Sequence, residues 1–182
     1  QHPSATGFSI RYARFLGSST KYYEALELLN NIELIEMANA DVYICKAEVY
    51  SLMNKHELAI EEYKKAVDFS ENKEDLLSNI AFEYENIGDY KNAIKYLKIA
   101  IEENPFSEHL LHELSFFFEI TSKEDEAIEY FNYYVDKNPY SKLAWFNLGV
   151  FYNSIELYEK AIEAYEFVIA IDENFASAYF NI

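Results

Sequence analysis

The chain has 182 residues, 51% of them apolar and 18% aromatic, which is enough to build a buried core and too apolar for a disordered polymer. Its 32 acidic against 15 basic residues leave a formal charge of −17, a field that repels a phosphate backbone and argues against nucleic acid as a partner. One cysteine, Cys45, excludes an intrachain disulfide, and with only four glycines and three prolines little interrupts helix, so an all-α fold is expected.

No apolar run approaches the roughly 18 residues of a membrane helix. The longest spans residues 167–171, so no membrane contact is expected. The opening residues, QHPSA, lack the basic-then-apolar layout of a secretory leader and an initiator methionine. Together with the single cysteine this gives a cytoplasmic expectation.

From Thr6 onward the chain falls on a 34-residue ruler, with blocks at 6–39, 40–73, 74–107, 108–141 and 142–175. One phase holds Ala25, Ala59, Ala93, Ala127 and Ala161, and the next holds Leu26, Ile60, Ile94, Ile128 and Ile162. Another holds only small residues: Ala13, Ala47, Ala81, Ser115 and Gly149. A further one holds Leu16, Tyr50, Tyr84, Phe118 and Tyr152. The three prolines, Pro3, Pro105 and Pro139, also share a phase.

Each block reads as two helices. The first block is the most degenerate, with Ser9 at the phase of Trp145, but Tyr22, Ala25, Leu26 and Leu29 keep its register. In the second block Lys46 stands where an apolar residue is expected, its stem laid along the core edge and its ammonium exposed. The third block places Leu77, Ile80, Ala81 and Tyr84 on one helical face and Tyr90, Ala93, Ile94, Leu97 and Ala100 on another. Between them, Gly88 suits a left-handed helix end and Asp89 an N-cap. In the fourth block the bulk of Tyr134 predicts wider packing towards the fifth. Its His109 and His112, flanked by Glu108 and Glu113, lack the order of a zinc hydrolase site, and no metal is expected. The fifth block opens with NPYSKLAWFNLG, in which the proline ends one pair, Ser141 caps the next helix, and Trp145, Leu148 and Gly149 face the core. Residues 176–182, ASAYFNI, echo KLAWFNL and read as the start of a truncated sixth block. With QHPSA as the tail of a preceding one, the chain is expected to be a segment of a longer array.

The period and the positions W-x2-L-G-x2-Y and A-x3-F, met here by Trp145, Leu148, Gly149, Tyr152, Ala161 and Tyr165, resemble the tetratricopeptide repeat family. The resemblance covers residues 6–182. It implies a right-handed superhelical solenoid of stacked antiparallel helix pairs, whose first helices line a concave surface. It implies a non-catalytic protein-interaction scaffold, without cofactor, that binds a peptide or protein segment in that groove.

At the inner offsets of the first helices the resemblance places Arg11, Cys45, Asn79, Glu113, Asn147 and Asn181, with Arg14, Glu48, Phe82, Phe116 and Val150 beside them. Ile10, Ile44, Ser78, His112, Phe146 and Phe180 fall at a third offset, and Glu85 and Glu119 at a fourth. Asn79, Asn147 and Asn181 form a broken ladder that either holds a ligand backbone or bonds locally. Phe82, Phe116, Phe146 and Phe180 either meet a ligand or pack between first helices. The family's carboxylate clamp needs cations where this chain has Glu48, Asp75 and Glu113, so a free C-terminal tail is not expected. The acids point to a basic or extended peptide, or else form a solvated face. The alternatives carried forward are a self-associating structural segment, and the docking or regulatory part of a larger enzyme or signalling protein. No phosphate-cradling glycine loop and no serine or cysteine nucleophile motif is found, so no catalytic residues are assigned.

Overall fold

The computed structural model describes residues 5–35 and 39–182. Pro3, expected to close a preceding repeat, lies outside the described residues, as does the rest of 1–4. Among the described residues there are eleven helices and no strand. The first pair is α1 (Ala5–Ser18) and α2 (Tyr22–Ile35), and the second α3 (Ala40–Leu52) and α4 (His56–Phe69). The third is α5 (Glu74–Asn86) and α6 (Tyr90–Glu103), and the fourth α7 (Glu108–Ile120) and α8 (Glu124–Lys137). The fifth is α9 (Lys142–Ser154) and α10 (Tyr158–Ile171), followed by the short α11 (Ala176–Asn181).

The turn inside each pair is the same in all five. The backbone of Thr20, Asn54, Gly88, Ser122 and Glu156 is left-handed, with φ of 64°, 55°, 74°, 50° and 63°. The next residue's amide then reaches back to the last turn of the first helix, as in Lys21 N to Leu16 O at 2.9 Å and Leu157 N to Tyr152 O at 2.9 Å. This 6→1 bond satisfies a carbonyl the ending helix would otherwise leave open. Caps start the following helices: Asn39 Oδ1 accepts from Asp41 N at 2.8 Å, Asp89 Oδ1 from Asn92 N at 3.1 Å, and Ser141 Oγ from Ala144 N at 3.4 Å.

The chain forms two compact units, Gln1–Glu103 and Asn104–Ile182. In the first, Ala25, Ala59 and Ala93 have no exposed surface, which lets the helices of each pair approach closely. Ile10, Ala13, Leu29 and Ile32 of the first pair enclose Val42 and Cys45 of α3, so α3 sits in the crease of the preceding hairpin. Tyr43, Ala47, Ile60, Tyr63 and Ile80 continue the core into α5. Lys46 corrects the expectation from sequence. It is buried at 5% exposure, and its ammonium is ion-paired with Glu33 of α2 rather than open to water. A buried ammonium is costly unless it is paired, and here the partner carboxylate is built into the neighbouring helix. A carboxylate that is itself buried, Glu83 of α5, meets His56 Nδ1 of α4 at 2.7 Å.

Cys45 has no exposed surface, and burial, with the nearby Glu48 carboxylate, pushes its thiol up to about 12. The thiolate is the reactive species, so at neutral pH this cysteine is held inert. A disulfide reagent is expected to leave the folded chain unmodified and to titrate one thiol once urea unfolds it. Prompt labelling of the folded protein would contradict the packing of α1 on α3.

In the second unit Ala127 is fully buried and Ala161 nearly so. Phe118 and Phe131 meet edge-on with centroids 6.3 Å apart, and Phe131 stacks on Phe151 at 5.9 Å. Gly149 lets Tyr165 of α10 lie directly on α9. Tyr134 is buried, and its hydroxyl donates to the carbonyl of Pro105, which anchors the ring against the loop before α7. Trp145 is half-buried, stacked on Phe167 with centroids 4.4 Å apart, and its indole Nε1 donates to Pro139 O at 2.8 Å. The residue expected in the core thus pins the inter-pair loop instead. Among the described residues no helix is long and apolar enough to cross a membrane.

Candidate functional site

Each unit carries a hollow walled by first helices. In the first unit its volume is about 390 Å3, and its walls include Arg14 of α1, Glu48 and Ser51 of α3, and Asn79 and Phe82 of α5, with Tyr63 beneath. In the second unit a hollow of about 190 Å3 is lined by His112, Phe116 and Glu119 of α7 and by Phe146, Asn147 and Val150 of α9. The helical period explains the grouping: His112, Phe116 and Glu119 lie at i, i+4, i+7, and Phe146 and Val150 at i, i+4.

Phe82 and Phe116 occupy the same phase of the repeat and remain 55% and 46% exposed. Neither sinks into the core of its unit, although each is one or two residues from fully buried neighbours. The charged groups around them are partly engaged. Arg14 Nε donates to Glu48 Oε2 at 2.8 Å, joining α1 to α3 across the hollow. Glu113 lies outside its hollow's wall and contacts His109 Nε2 at 3.3 Å.

The asparagines divide. Asn79 is exposed. Asn147 is buried at 6% exposure, and its amide donates to Leu111 O of α7 at 3.4 Å. Asn181 donates to Ser177 O of its own helix at 2.7 Å. Phe146 lines the hollow on one side and packs on Phe175 at 5.2 Å and Tyr165 at 5.7 Å on the other. Arg11 and Phe180 are exposed but line neither hollow. Ile10 and Cys45, given groove offsets from sequence, are buried between α1, α2 and α3 instead. No group of three or more His, Cys, Asp or Glu placed to hold a metal occurs among the described residues.

A larger hollow, about 650 Å3, lies in the second unit among the inter-pair loops, bounded by Pro105, Phe106, Pro139, Tyr140, Lys142 and Asp172. Phe106 and Tyr140 are 84% and 85% exposed. The repeated NPFS and NPYS are the sequence signal of this edge, each joining a helix-stopping proline to an aromatic residue.

Stacked helix hairpins of one fixed length, with first helices walling a hollow in each unit, define a helical-repeat protein. Family models described as tetratricopeptide repeat match residues 40–73 and 74–107, and a further one matches 143–175. The chain belongs to the tetratricopeptide repeat family. Among solved structures it is similar to YrrB, described as a tetratricopeptide protein with an unusual peptide-binding site. The identity is 23%, over 94% of this chain and 89% of that one, with a TM-score of 0.58. It is also similar to MamA, at 18% identity over 89% and 95% of the two chains, with a TM-score of 0.56. The C-terminal part of a repeat protein from Cytophaga hutchinsonii matches at 20% identity over 93% and 67%, with a TM-score of 0.61. At these identities the likeness is one of fold. A search of the curated proteins returns no match.

Proposed function

We propose that the chain is a protein-interaction module that holds an extended peptide or protein segment against the first helices of its pairs. The observation that carries this reading is the pair of half-exposed rings, Phe82 and Phe116, one repeat apart at the same phase, each in a hollow of its own unit. Aromatic side chains in partly enclosed sites dominate binding energy, because they bring large area at low entropy cost. The rims supply both signs of polar contact: Asn79 and Ser51 near Phe82, and His112 and Glu119 near Phe116. The net charge of −17 favours a ligand with some lysine or arginine. YrrB, similar in fold, is described as having a peptide-binding site, which agrees with this use of the scaffold.

Selection of an immobilised random-peptide library on the intact chain tests the proposal. Peptides enriched by the wild type are expected to bind the Phe82→Ala and Phe116→Ala double variant about tenfold or more weakly, the size of loss typical of a binding hot spot. Enriched peptides that bind the double variant equally well would remove the first-helix hollows from the function.

A further inference from the structure

The hollow of the first unit has polar groups that the fold does not require. Tyr63 of α4 and Glu83 of α5 both line it, at 5% and 2% exposure. In other repeats Leu29, Leu97 and Phe131 stand at the phase of Tyr63, and Val49, Phe117 and Phe151 at the phase of Glu83. All six are apolar and buried. Packing at these phases therefore needs no polar atom, and burying one is costly unless it is bonded.

The bonding inside the hollow is incomplete. The Tyr63 hydroxyl has no hydrogen-bond partner among the described residues. Burial raises its pKa, the Glu48 and Glu83 carboxylates raise it further, and Arg14 opposes them. The hydroxyl thus faces three other side chains of the hollow wall and stays protonated at neutral pH. Glu83 Oε2 is engaged by His56 Nδ1 at 2.7 Å, and its Oε1 has no partner among the described residues. Glu48 Oε2 accepts from Arg14 Nε, and its Oε1 is likewise unused. Tyr165, at the phase of Tyr63, also has an unbonded hydroxyl, but that one is sealed from the surface.

We propose that this hollow is a subsite for one lysine side chain of the bound segment, its ammonium held by Tyr63 Oη, Glu83 Oε1 and Glu48 Oε1 and its stem laid along Phe82. The subsite belongs to the proposed peptide groove and rests on that reading. Its three acceptors come from three helices, α4, α5 and α3, which suits a compact ammonium with three donors. A guanidinium pairs best with both oxygens of one carboxylate, and here each carboxylate has one oxygen already engaged. Phe82, still 55% exposed, gives apolar area to the methylene stem and attraction to the cation. Two carboxylates and one guanidinium line the hollow, so the added charge is favourable.

Selection of a random heptapeptide library on the intact chain, run in parallel on Tyr63→Phe, Glu83→Gln and Glu61→Gln, tests the subsite. The wild type is expected to enrich lysine at one fixed peptide position. Norleucine or arginine in its place should weaken binding about tenfold or more, as when a hydrogen-bonded charge is lost. Tyr63→Phe and Glu83→Gln should show a loss of the same size and no longer enrich lysine there. Glu61 is exposed and lines neither hollow, so Glu61→Gln makes the same change in net charge and should bind as the wild type does. The Tyr63 hydroxyl has no bond to lose on unfolding, so Tyr63→Phe should keep or raise the urea midpoint while binding falls. Enriched peptides without a fixed lysine, equal binding of the norleucine peptide, or an equal loss in Glu61→Gln overturns the subsite. Where such peptides still need Phe116, the peptide reading survives that result. A library from which nothing is enriched, or peptides indifferent to both Phe82 and Phe116, overturns both.

Discussion

Gly149→Val is expected to lower the unfolding free energy by about 3 kcal/mol or more, read as a fall in the urea midpoint. A Cβ at Gly149 would stand 2.5 Å from Tyr165 Cε1, 2.8 Å from Cδ1 and 2.9 Å from Cζ. Real Cβ contacts do not approach that closely, and the ring that must move is 1% exposed and packed on Phe146. Two opposing terms decide the sign. Removing a helical glycine gains about 1 kcal/mol of propensity when alanine replaces it. Overpacking a close-packed core costs about 1–3 kcal/mol, and more where no flexible end can yield. A ring edge at 2.5 Å puts this site at the upper end, and valine adds two methyl groups and less propensity gain. Gly149→Ala should therefore already be net destabilising, and Gly149→Val severely so. In a double-mutant cycle Tyr165→Leu should make Gly149→Ala nearly harmless, because it removes the obstructing ring edge. A Gly149→Ala chain as stable as wild type would mean that α9 and α10 are not in contact there.

The sequence made that contact legible, and the reason is specific. A phase that holds only Ala13, Ala47, Ala81, Ser115 and Gly149 marks a close helix approach, whatever the rest of each block does. The phase of five alanines marks the other side. The turn was less legible. Gly88 and, more weakly, Asn54 advertise a left-handed residue, yet Thr20, Ser122 and Glu156 adopt the same backbone. A non-glycine residue is mildly strained there, and the 6→1 hydrogen bond with the packing of both helices holds it. At Thr20, Ser122 and Glu156 that tertiary demand leaves no mark on residue type. Lys46 was misread for a related reason: its partner Glu33 is in another helix, and sequence spacing does not show that the two meet.

The candidate site was legible in part. The phase of Phe82 and Phe116 points consistently outward. The phase of Cys45, Asn79, Glu113 and Asn147 lies at the boundary between hollow wall and pair-to-pair contact. There the outcome follows size and partner: Cys45 is buried, Asn79 exposed, and Asn147 buried once Leu111 O accepts its amide. A position at such a boundary is not assigned by period alone. The loop hollow beside Phe106 and Tyr140 leaves little mark in the sequence, because the helix-stopping role of proline accounts for NPFS and NPYS by itself.

Phe131→Ala is expected to cost about 3–5 kcal/mol, the range for deleting a buried phenyl ring. Phe131 has no exposed surface and touches Phe118, Tyr130 and Phe151 at centroid distances of 6.3, 5.7 and 5.9 Å. Its neighbours are rigid rings, which relax poorly into a void, so the upper half of the range applies. Typical domains have about 5–15 kcal/mol in all, and the variant should show a much lower midpoint or lose cooperative unfolding. The informative comparison is Phe116→Ala in the same unit. That ring is 46% exposed and adjoins Phe117 in a tilted contact at 5.8 Å. If Phe116 is there to meet a ligand, its removal should change stability by no more than about 1 kcal/mol, in line with surface substitutions, while binding falls. The same urea titration thus separates a ring kept for packing from a ring kept for recognition. Equal losses in the two variants would make Phe116 a core residue and withdraw it from the site, and a small loss at Phe131 would contradict the aromatic core of the second unit.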